Sequence, residues 1–456
     1  MALLAFLLAL GILVTVHEWG HYRVAVACGV KVQAFSIGFG QPLFRWKSQA
    51  KREGQDTEFS IGWIPLGGYV KMLDERDGNV PVQDLSMAFN RQPLKSRTAI
   101  VCAGPLANLL LAVALYVVLS WVGQYQTRAT LAAPIVNSVA DVAGLRSGDT
   151  VLRVGQDSQS LQTVASLDEL RWWVLQQDVS AFYLEVLPLG RQSPDLLNFP
   201  ELTQMSLSKE TNAWTARGFT TAWSRAVLGK IQPDSPAQRA GLQIGDEVLR
   251  VDGQVVPDGP TLRSMIRLSG ISQEPLSQIW EISRAGFRLS LAVKPDRVSE
   301  GAGYIGRIGV QVGEPLSGTW VQYGLFDGLV QGVLQTWRVV GMTFEMLGPL
   351  LTGQASLDNL SGPLGMADYA GRSASLGVVA YLNYLALLSV SLGVFNLLPL
   401  PVLDGGHLLY YLYEACTGHP PSAEWLDVMQ RMGLATLAAL MVFSLVNDVI
   451  RLDWMP

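Results

Sequence analysis

The chain has 456 residues, a length for about three domains. Charged residues make up 16% and hydrophobic residues 49%, with a mean hydropathy of +0.26. A soluble chain carries roughly 25% charge, so this composition reads as an integral membrane protein with substantial polar parts. A net charge of −5 argues against nucleic-acid binding, and three scattered cysteines (Cys28, Cys102, Cys416) form neither a disulfide framework nor a CxxC metal pattern.

The first predicted element is a membrane helix. Ala2 to Val16 is uncharged throughout and runs straight into His17-Glu18-Trp19-Gly20-His21. Residues i and i+4 of a helix lie about 40° apart in azimuth and about 6 Å apart along the axis. His17 and His21, two of only four histidines in the chain, can therefore share one Zn²⁺. Glu18 points to the neighbouring face and can take the proton of a water. Ionisable groups next to a bilayer core are costly, which favours a functional reading. Ala25-Val26-Ala27 imitates a signal-peptide cleavage site. However, no Lys or Arg precedes the apolar run, and cleavage there would discard the motif.

Residues 22–97 carry eleven Lys or Arg, which places this loop and the HExxH end of the first helix on the cytoplasmic side. Within it, Gly62 to Lys71 (GWIPLGGYVK) reads as short strands broken by glycine, with Ser36 to Gly40 as a candidate further part of the same β-element. An ordinary loop hairpin is the plainer alternative for 62–71. Thr98 to Gly123 is a second uncharged span, with Gly104, Pro105 and Asn108 out of place for a helix facing only lipid.

The long segment that follows contains a repeat. Ala143-Gly-Leu-Arg-Ser-Gly-Asp-Thr-Val-Leu-Arg-Val154 recurs 97 residues later as Ala240-Gly-Leu-Gln-Ile-Gly-Asp-Glu-Val-Leu-Arg-Val251, with nine of twelve positions identical. That period is domain-sized. The signature resembles PDZ domains, and two copies imply a tandem pair at 127–221 and 222–315. Such domains bind extended peptides by strand addition; a role as spacers is the alternative. Residues 319–352 are apolar but interrupted by Asp327, Arg338 and Glu345, which predicts an interfacial amphipathic helix rather than a fifth span.

Leu376 to Leu400 is the third span, uncharged over 25 residues, and Met432 to Val446 marks the fourth. Four spans put both termini and the tandem pair on the external side. Directly after the third span comes Asn396-Leu-Leu-Pro-Leu-Pro-Val-Leu-Asp404-Gly-Gly-His407. The topology returns Asp404 to the face that holds His17, making it the candidate third ligand, with His407 as competitor. Alone, Asp404 could equally be a helix N-cap.

HExxH in the first span, together with Asn-x-x-Pro-x-Pro-x-Leu-Asp-Gly in a later one, resembles the site-2 protease family of intramembrane zinc metallopeptidases. Gly104-Pro105-x-x-Asn108, Ser361-Gly-Pro-Leu364 and Asn447-Asp448 also match, so the likeness spans the chain. It implies that His17, His21 and Asp404 bind zinc and that Glu18 is the catalytic base. It implies a substrate-binding role for Asn396, Pro399 and Pro401, and for Gly67, Gly68 and Tyr69 in a membrane-associated β-element. It implies a monomer of the bacterial inner membrane with its paired domains in the periplasm. Its partners would be the lipid bilayer and single-pass membrane proteins, anti-sigma factors above all and remnant signal peptides second. Another protease would first shorten these substrates, with the tandem domains as a size filter, within a stress-response cascade. The resulting organisation is 1–126 for two spans with the HExxH and β-loop, the two PDZ-like domains, 316–375 for the amphipathic segment, and 376–456 for the last two spans. A catalytically silent scaffold would need a damaged ligand or a missing glutamate, and neither occurs. A zinc transporter would be expected to carry inverted membrane repeats, whereas the clear repeat here is soluble.

Overall fold

A computed structural model describes residues 2–47, 55–78, 80–177, 179–202, 212–271, 275–300, 303–351 and 362–453. Lys51, Arg52 and Ser361 fall outside these. The chain divides into two units, 1–124 with 322–456, and 125–321.

The first unit opens with helix α1 (Ala2–Ala27). Strands β1 (Val32–Lys47) and β2 (Glu58–Met72) follow, each bending back on itself. Phe35 is opposite both Val70 and Phe59, and Phe59 is also opposite Trp46. The two strands thus lie as four segments side by side, with 68–72 at one edge. Gly38 and Gly40 make the bend in β1 with φ of +87° and +86°, a region that favours glycine. Phe44, Trp63, Leu43 and Trp46 are exposed on this sheet. The short strands expected at 36–40 and 62–71 are therefore parts of one longer element.

Helix α2 (Leu94–Val122) crosses α1 closely at Gly20, where an added Cβ would lie 2.8 Å from Ala107 Cβ. Among the described residues, four helices are long and apolar enough to span a membrane: 2–27, 94–122, 378–396 and 424–449. The sequence predicts the same four.

The second unit begins with β3 (Gln124–Thr127) and holds two domains built alike. The first contains α3 (Val139–Val142), β4 (Thr150–Gly155), β5 (Gln162–Thr163), α4 (Leu167–Gln176), β6 (Phe182–Leu187), β7 (Asp195–Phe199) and α5 (Ala213–Ala216). The next contains β8 (Leu228–Ile231), α6 (Pro236–Arg239), β9 (Glu247–Val251), β10 (Gln254–Val255), α7 (Gly259–Leu268), β11 (Gln278–Arg284) and β12 (Phe287–Val293). Strands β13 (Asp296–Glu300), β14 (Gly303–Arg307), β15 (Val310–Val312) and β16 (Gly318–Val321) complete the unit. Sheet order β5-β4-β6-β7 repeats as β10-β9-β11-β12. Each sheet packs on its helix, around Leu170, Phe182 and Leu184 in one domain and Leu262, Trp280 and Ile282 in the other.

The repeated Gly-Asp has the same job in both copies. Asp149 Oδ2 accepts from the Arg146 amide, and Asp246 Oδ2 from the Gln243 amide, each at 2.8 Å. Their charges are held differently. Burial pushes the Asp149 carboxyl up. Burial also opposes ionisation of Asp246, but the paired bonds from Arg284 outweigh it and draw that carboxyl down. Asp258 is fully buried and ties the two domains together. It caps α7 through the Thr261 amide at 2.8 Å and accepts from the Ala133 amide at 2.6 Å and Ser147 Oγ at 2.5 Å.

The chain returns to the first unit through α8 (Leu325–Leu351), α9 (Pro363–Ser375), α10 (Val378–Asn396), α11 (Asp404–Thr417) and α12 (Ala423–Asp453). Helix α8 carries the three charges that interrupt it, yet one face of it is committed to spanning helices. Gly332 sits against Val117, and Val339 and Val340 join Ala112, Tyr116, Val390 and Val394 in one buried cluster. Asp448 of α12 explains the Asn-Asp close of the sequence. It accepts from the amides of Gly362, Leu364 and Gly365 at 2.9–3.0 Å, serving the N-terminus of α9 from another helix.

Candidate metal centre

The HExxH segment lies in the last part of α1, so helix periodicity alone brings His17 and His21 together; their ring centroids are 4.8 Å apart. Helix α2 passes behind them. Its Gly104 leaves the room they occupy: a Cβ there would stand 2.6 Å from His21 Cε1 and 2.8 Å from His17 Cε1. Asp404 arrives from the far end of the chain as the first residue of α11.

The sequence leaves two alternatives open about Asp404, a helix cap and the competitor His407, and the geometry bears on both. Asp404 is not a cap. Leu403 holds the cap position, and no side-chain cap bond is made. His407 lies outside the cluster of donors, which among the described residues is His17, His21 and Asp404. The glycines after Asp404 serve a different need from a left-handed turn. Both are helical, and a Cβ on Gly405 would meet the Leu398 carbonyl, while one on Gly406 would lie 2.7 Å from Pro401 Cα. They let the Leu397–Leu403 link fold tightly onto the first turn of α11.

These three donors suit one tetrahedral cation. Zn–N and Zn–O bonds of about 2.0–2.1 Å place tetrahedral ligands roughly 3.3–3.4 Å apart. The distances found are 3.2 Å from His17 Nε2 to His21 Nε2, 3.2 Å from His17 Nε2 to Asp404 Oδ2, and 3.5 Å from His21 Nε2 to Asp404 Oδ2. Asp404 Oδ2 is buried without a properly aligned hydrogen-bond donor among the described residues. Three such atoms facing one another at these spacings could hold one metal ion.

Partners behind the histidines set their tautomers. His21 Nδ1 is 2.8 Å from the Ile100 carbonyl, so Nδ1–H donates there and Nε2 keeps its lone pair. His17 Nδ1 lies 3.2 Å from Asn108 Nδ2, while Asn108 Oδ1 is buried without a partner. Amide oxygen and nitrogen are assigned from such networks. Turning the carboxamide lets Oδ1 accept from His17 Nδ1–H, which satisfies the orphaned oxygen and frees Nε2. Asn108 is fully buried, and Ser389 Oγ holds its carbonyl at 2.7 Å. The sequence marks Asn108 as a polar residue in an apolar span but assigns it no role. Outer partners of metal-binding histidines are worth about 10–100-fold in affinity. Asn108→Leu is accordingly expected to weaken zinc binding by about that factor, and Asn108→Asp to preserve it, measured by competition with a chelating dye.

Glu18 borders the same space. It lines a cavity of about 820 Å³ with His21, Tyr69, Val70, Asp404 and His407. A Cβ on Gly68 would come 3.2 Å from Glu18 Cγ, so the edge segment of β2 passes as nearly bare backbone beside the glutamate. Burial draws the His407 imidazole below its ordinary pKa, making it a neutral wall of the cavity. Asn396 ends α10, and Pro399 and Pro401 lie in the non-helical link before Asp404. Proline in that link removes amide donors and fixes the backbone out of the helix.

Two histidines, a carboxylate and a neighbouring glutamate thus come together on or beside apolar helices, a donor set of the kind a metallopeptidase uses. The chain belongs to peptidase family M50, which it matches over residues 5–440. It is 37% identical to the regulator of sigma-E protease RseP of Escherichia coli (strain K12), covering 99% of this chain and 98% of that one. It is 38% identical to the protease RseP of Yersinia pestis over 99% of both. A Ralstonia nicotianae protein that carries a zinc-metalloprotease name is 37% identical, again over 99% of both. The chain is thus a zinc metalloprotease of the site-2 type, with its helices in a membrane.

Proposed function

We propose that His17, His21 and Asp404 hold the zinc, that Glu18 is the base, and that the protease cuts the transmembrane segment of single-pass membrane proteins already shortened by another enzyme. The observation that carries this is the meeting of the three donors at tetrahedral spacing, with His21 and Asp404 in the wall of the cavity that Glu18 borders. Zinc bound there supplies Lewis-acid polarisation of the scissile carbonyl and acidifies water. Glu18 receives the proton of the attacking water and returns it to the leaving amine.

A helical substrate must unwind before its peptide bond is accessible, and its freed backbone needs partners at membrane depth. The edge segment with Gly67, Gly68 and Tyr69 offers a ladder of backbone groups for strand addition. Asn396 adds an amide, with Pro399 and Pro401 keeping its surroundings irregular. Exposed Phe44, Trp63 and Trp46 suit contact of the β1–β2 sheet with lipid. The repeated domains act as PDZ-like selectors that disfavour substrates with bulky external portions. The eleven basic residues of the 22–97 loop support a site toward the cytoplasm of a bacterial inner membrane, with the repeated domains in the periplasm. The names of the relatives point to sigma-E regulation, and an anti-sigma factor is the corresponding substrate.

Metal removal tests this. In detergent, a truncated single-pass substrate is expected to be cut by the purified protein. Treatment with a zinc chelator stops cleavage, and one equivalent of zinc restores it. A substrate that keeps a folded external domain is cut much more slowly. Cleavage that persists after zinc has been stripped to trace levels overturns the proposal, and a zinc-replete protein that cuts neither substrate points to a scaffold.

A further inference from the structure

We propose that the ion pair between Arg97 and Glu414 is a register clamp: it sets helix α11 against α2 so that Asp404 stands level with the two histidines. This rests on the assignment of His17, His21 and Asp404 as the metal ligands.

The pair joins residues 317 apart in sequence. Arg97 Nη1 donates to Glu414 Oε2 at 3.1 Å and Nη2 to Oε1 at 2.6 Å, a bidentate fork. The guanidinium is used on its other sides as well. Its Nε donates to the Gln92 carbonyl at 3.1 Å, and its Cζ lies over the Tyr411 ring, 5.2 Å from the centroid. The Arg97 and Glu414 side chains are only 15% and 17% exposed, and theirs is the one ion pair between α2 and α11 among the described residues.

Helix α11 needs such a fixed point. At its N-terminal end it is joined to α10 by the irregular Leu397–Leu403 link, which has no ladder to define its length. The histidines are fixed separately, by the close approach of Gly20 on α1 to Ala103 and Ala107 of α2, and by Gly104 and the Ile100 carbonyl of α2. Asp404 and Glu414 are ten residues apart on one helix, about 15 Å, and Arg97 and Gly104 are about 10 Å apart on α2. The clamp and the metal site therefore grip the same two helices at separate points. A slip of α11 by one residue would shift Asp404 by about 1.5 Å and turn it by about 100°, whereas metal bonds tolerate about 0.2 Å. Buried ion pairs add little net stability but are well suited to fixing register. Lysine could supply the charge at 97 but not the fork.

The experiment uses full-length protein in detergent and compares wild type with Arg97→Lys, Glu414→Gln and the double variant. Zinc release to a chelating dye is followed, together with thermal unfolding of the metal-free proteins. Each single variant is expected to release zinc about tenfold faster. The double variant should be no worse than either single one, as coupled residues require. The metal-free proteins should melt together. Wild-type release rates in the single variants overturn the proposal. So does additive loss in the double variant, or a metal-free protein that melts well below wild type, since the pair would then hold the fold and not the site. Asp404→Asn is the separate check: if it holds zinc as wild type does, the ligand assignment fails, whatever the clamp variants do.

Discussion

Glu18→Gln is expected to bind zinc normally and to lose cleavage by about 10²–10⁴-fold. The two parts of this expectation come from different observations. Glu18 is not among the donors that converge on the cation site, so the variant keeps all three. The cavity beside His21 and Asp404 nevertheless includes Glu18, within reach of anything bound there. Glutamine has the same shape and can still accept a hydrogen bond, but it cannot take up a proton. Each tenfold loss is about 1.4 kcal/mol of transition-state stabilisation, so the variant should lack about 3–5 kcal/mol. Zinc content, single-turnover cleavage of the truncated substrate and the shift in melting temperature on chelation report these separately. Equal shifts in melting temperature for variant and wild type would show equal metal binding. Undiminished cleavage would remove Glu18 from the mechanism and turn attention to His407, the neutral imidazole in the same wall. Lost zinc would make Glu18 part of the scaffold of the site instead.

Much of this site is legible in the sequence because its spacing is local. Two histidines four apart on a helix must share a face, and a glutamate between them must lie beside it. Asp404 is legible because an apolar span of 25 residues carries the chain back to the first face. Neither inference depends on knowing which helices touch. The harder features all depend on that knowledge. Asn108 is visibly anomalous in its span, but only the crossing of α1 and α2 shows that it faces His17. Arg97 reads as one of eleven positive charges marking orientation, and Glu414 as an ordinary acidic residue; their pairing is a product of tertiary packing. Glycines in the 36–40 and 62–71 segments announce breaks, but not that the two strands double back and run four abreast. Charges in 319–352 suggest a helix at the interface, and hydropathy does not reveal that Gly328 and Gly332 let one face of α8 lie against Trp121 and Val117. The repeat is the opposite case. Nine matching residues predict matching turns, and Asp149 and Asp246 do bond the equivalent amide. Yet Asp246 takes paired bonds from Arg284 whereas burial dominates at Asp149, so the same letter carries a differently held charge.

Gly104→Ala is the substitution that should damage the site most for the smallest chemical change. In an exposed helix interior the replacement would be favourable by about 1 kcal/mol. At 104 the new methyl group points at His17 and His21. It would press on His21 Nε2, stand 2.6 Å from His21 Cε1 and lie 2.8 Å from His17 Cε1. Such distances are below van der Waals contact, and the obstructing atoms are not the free ends of flexible chains. His21 is held by Ile100 from behind, and His17 by Asn108. Either the imidazoles turn off their partners or α1 and α2 separate, and Gly20, already close to the Ala103 carbonyl, shows how little slack the crossing has. A displacement of about 1 Å at a reacting centre can cost about 100-fold, so cleavage should fall by at least that factor. Zinc stoichiometry should fall with it. Helix content by circular dichroism should stay unchanged, because alanine suits the helix better than glycine does. Gly11→Ala is the matched control, on α1 with open space where its methyl group would go, and it should leave zinc and cleavage as they are. If Gly104→Ala carries a full equivalent of zinc and cuts at the wild-type rate, the two histidines do not sit over Gly104 in the working enzyme, and the crossing of α1 and α2 described here is not its active arrangement.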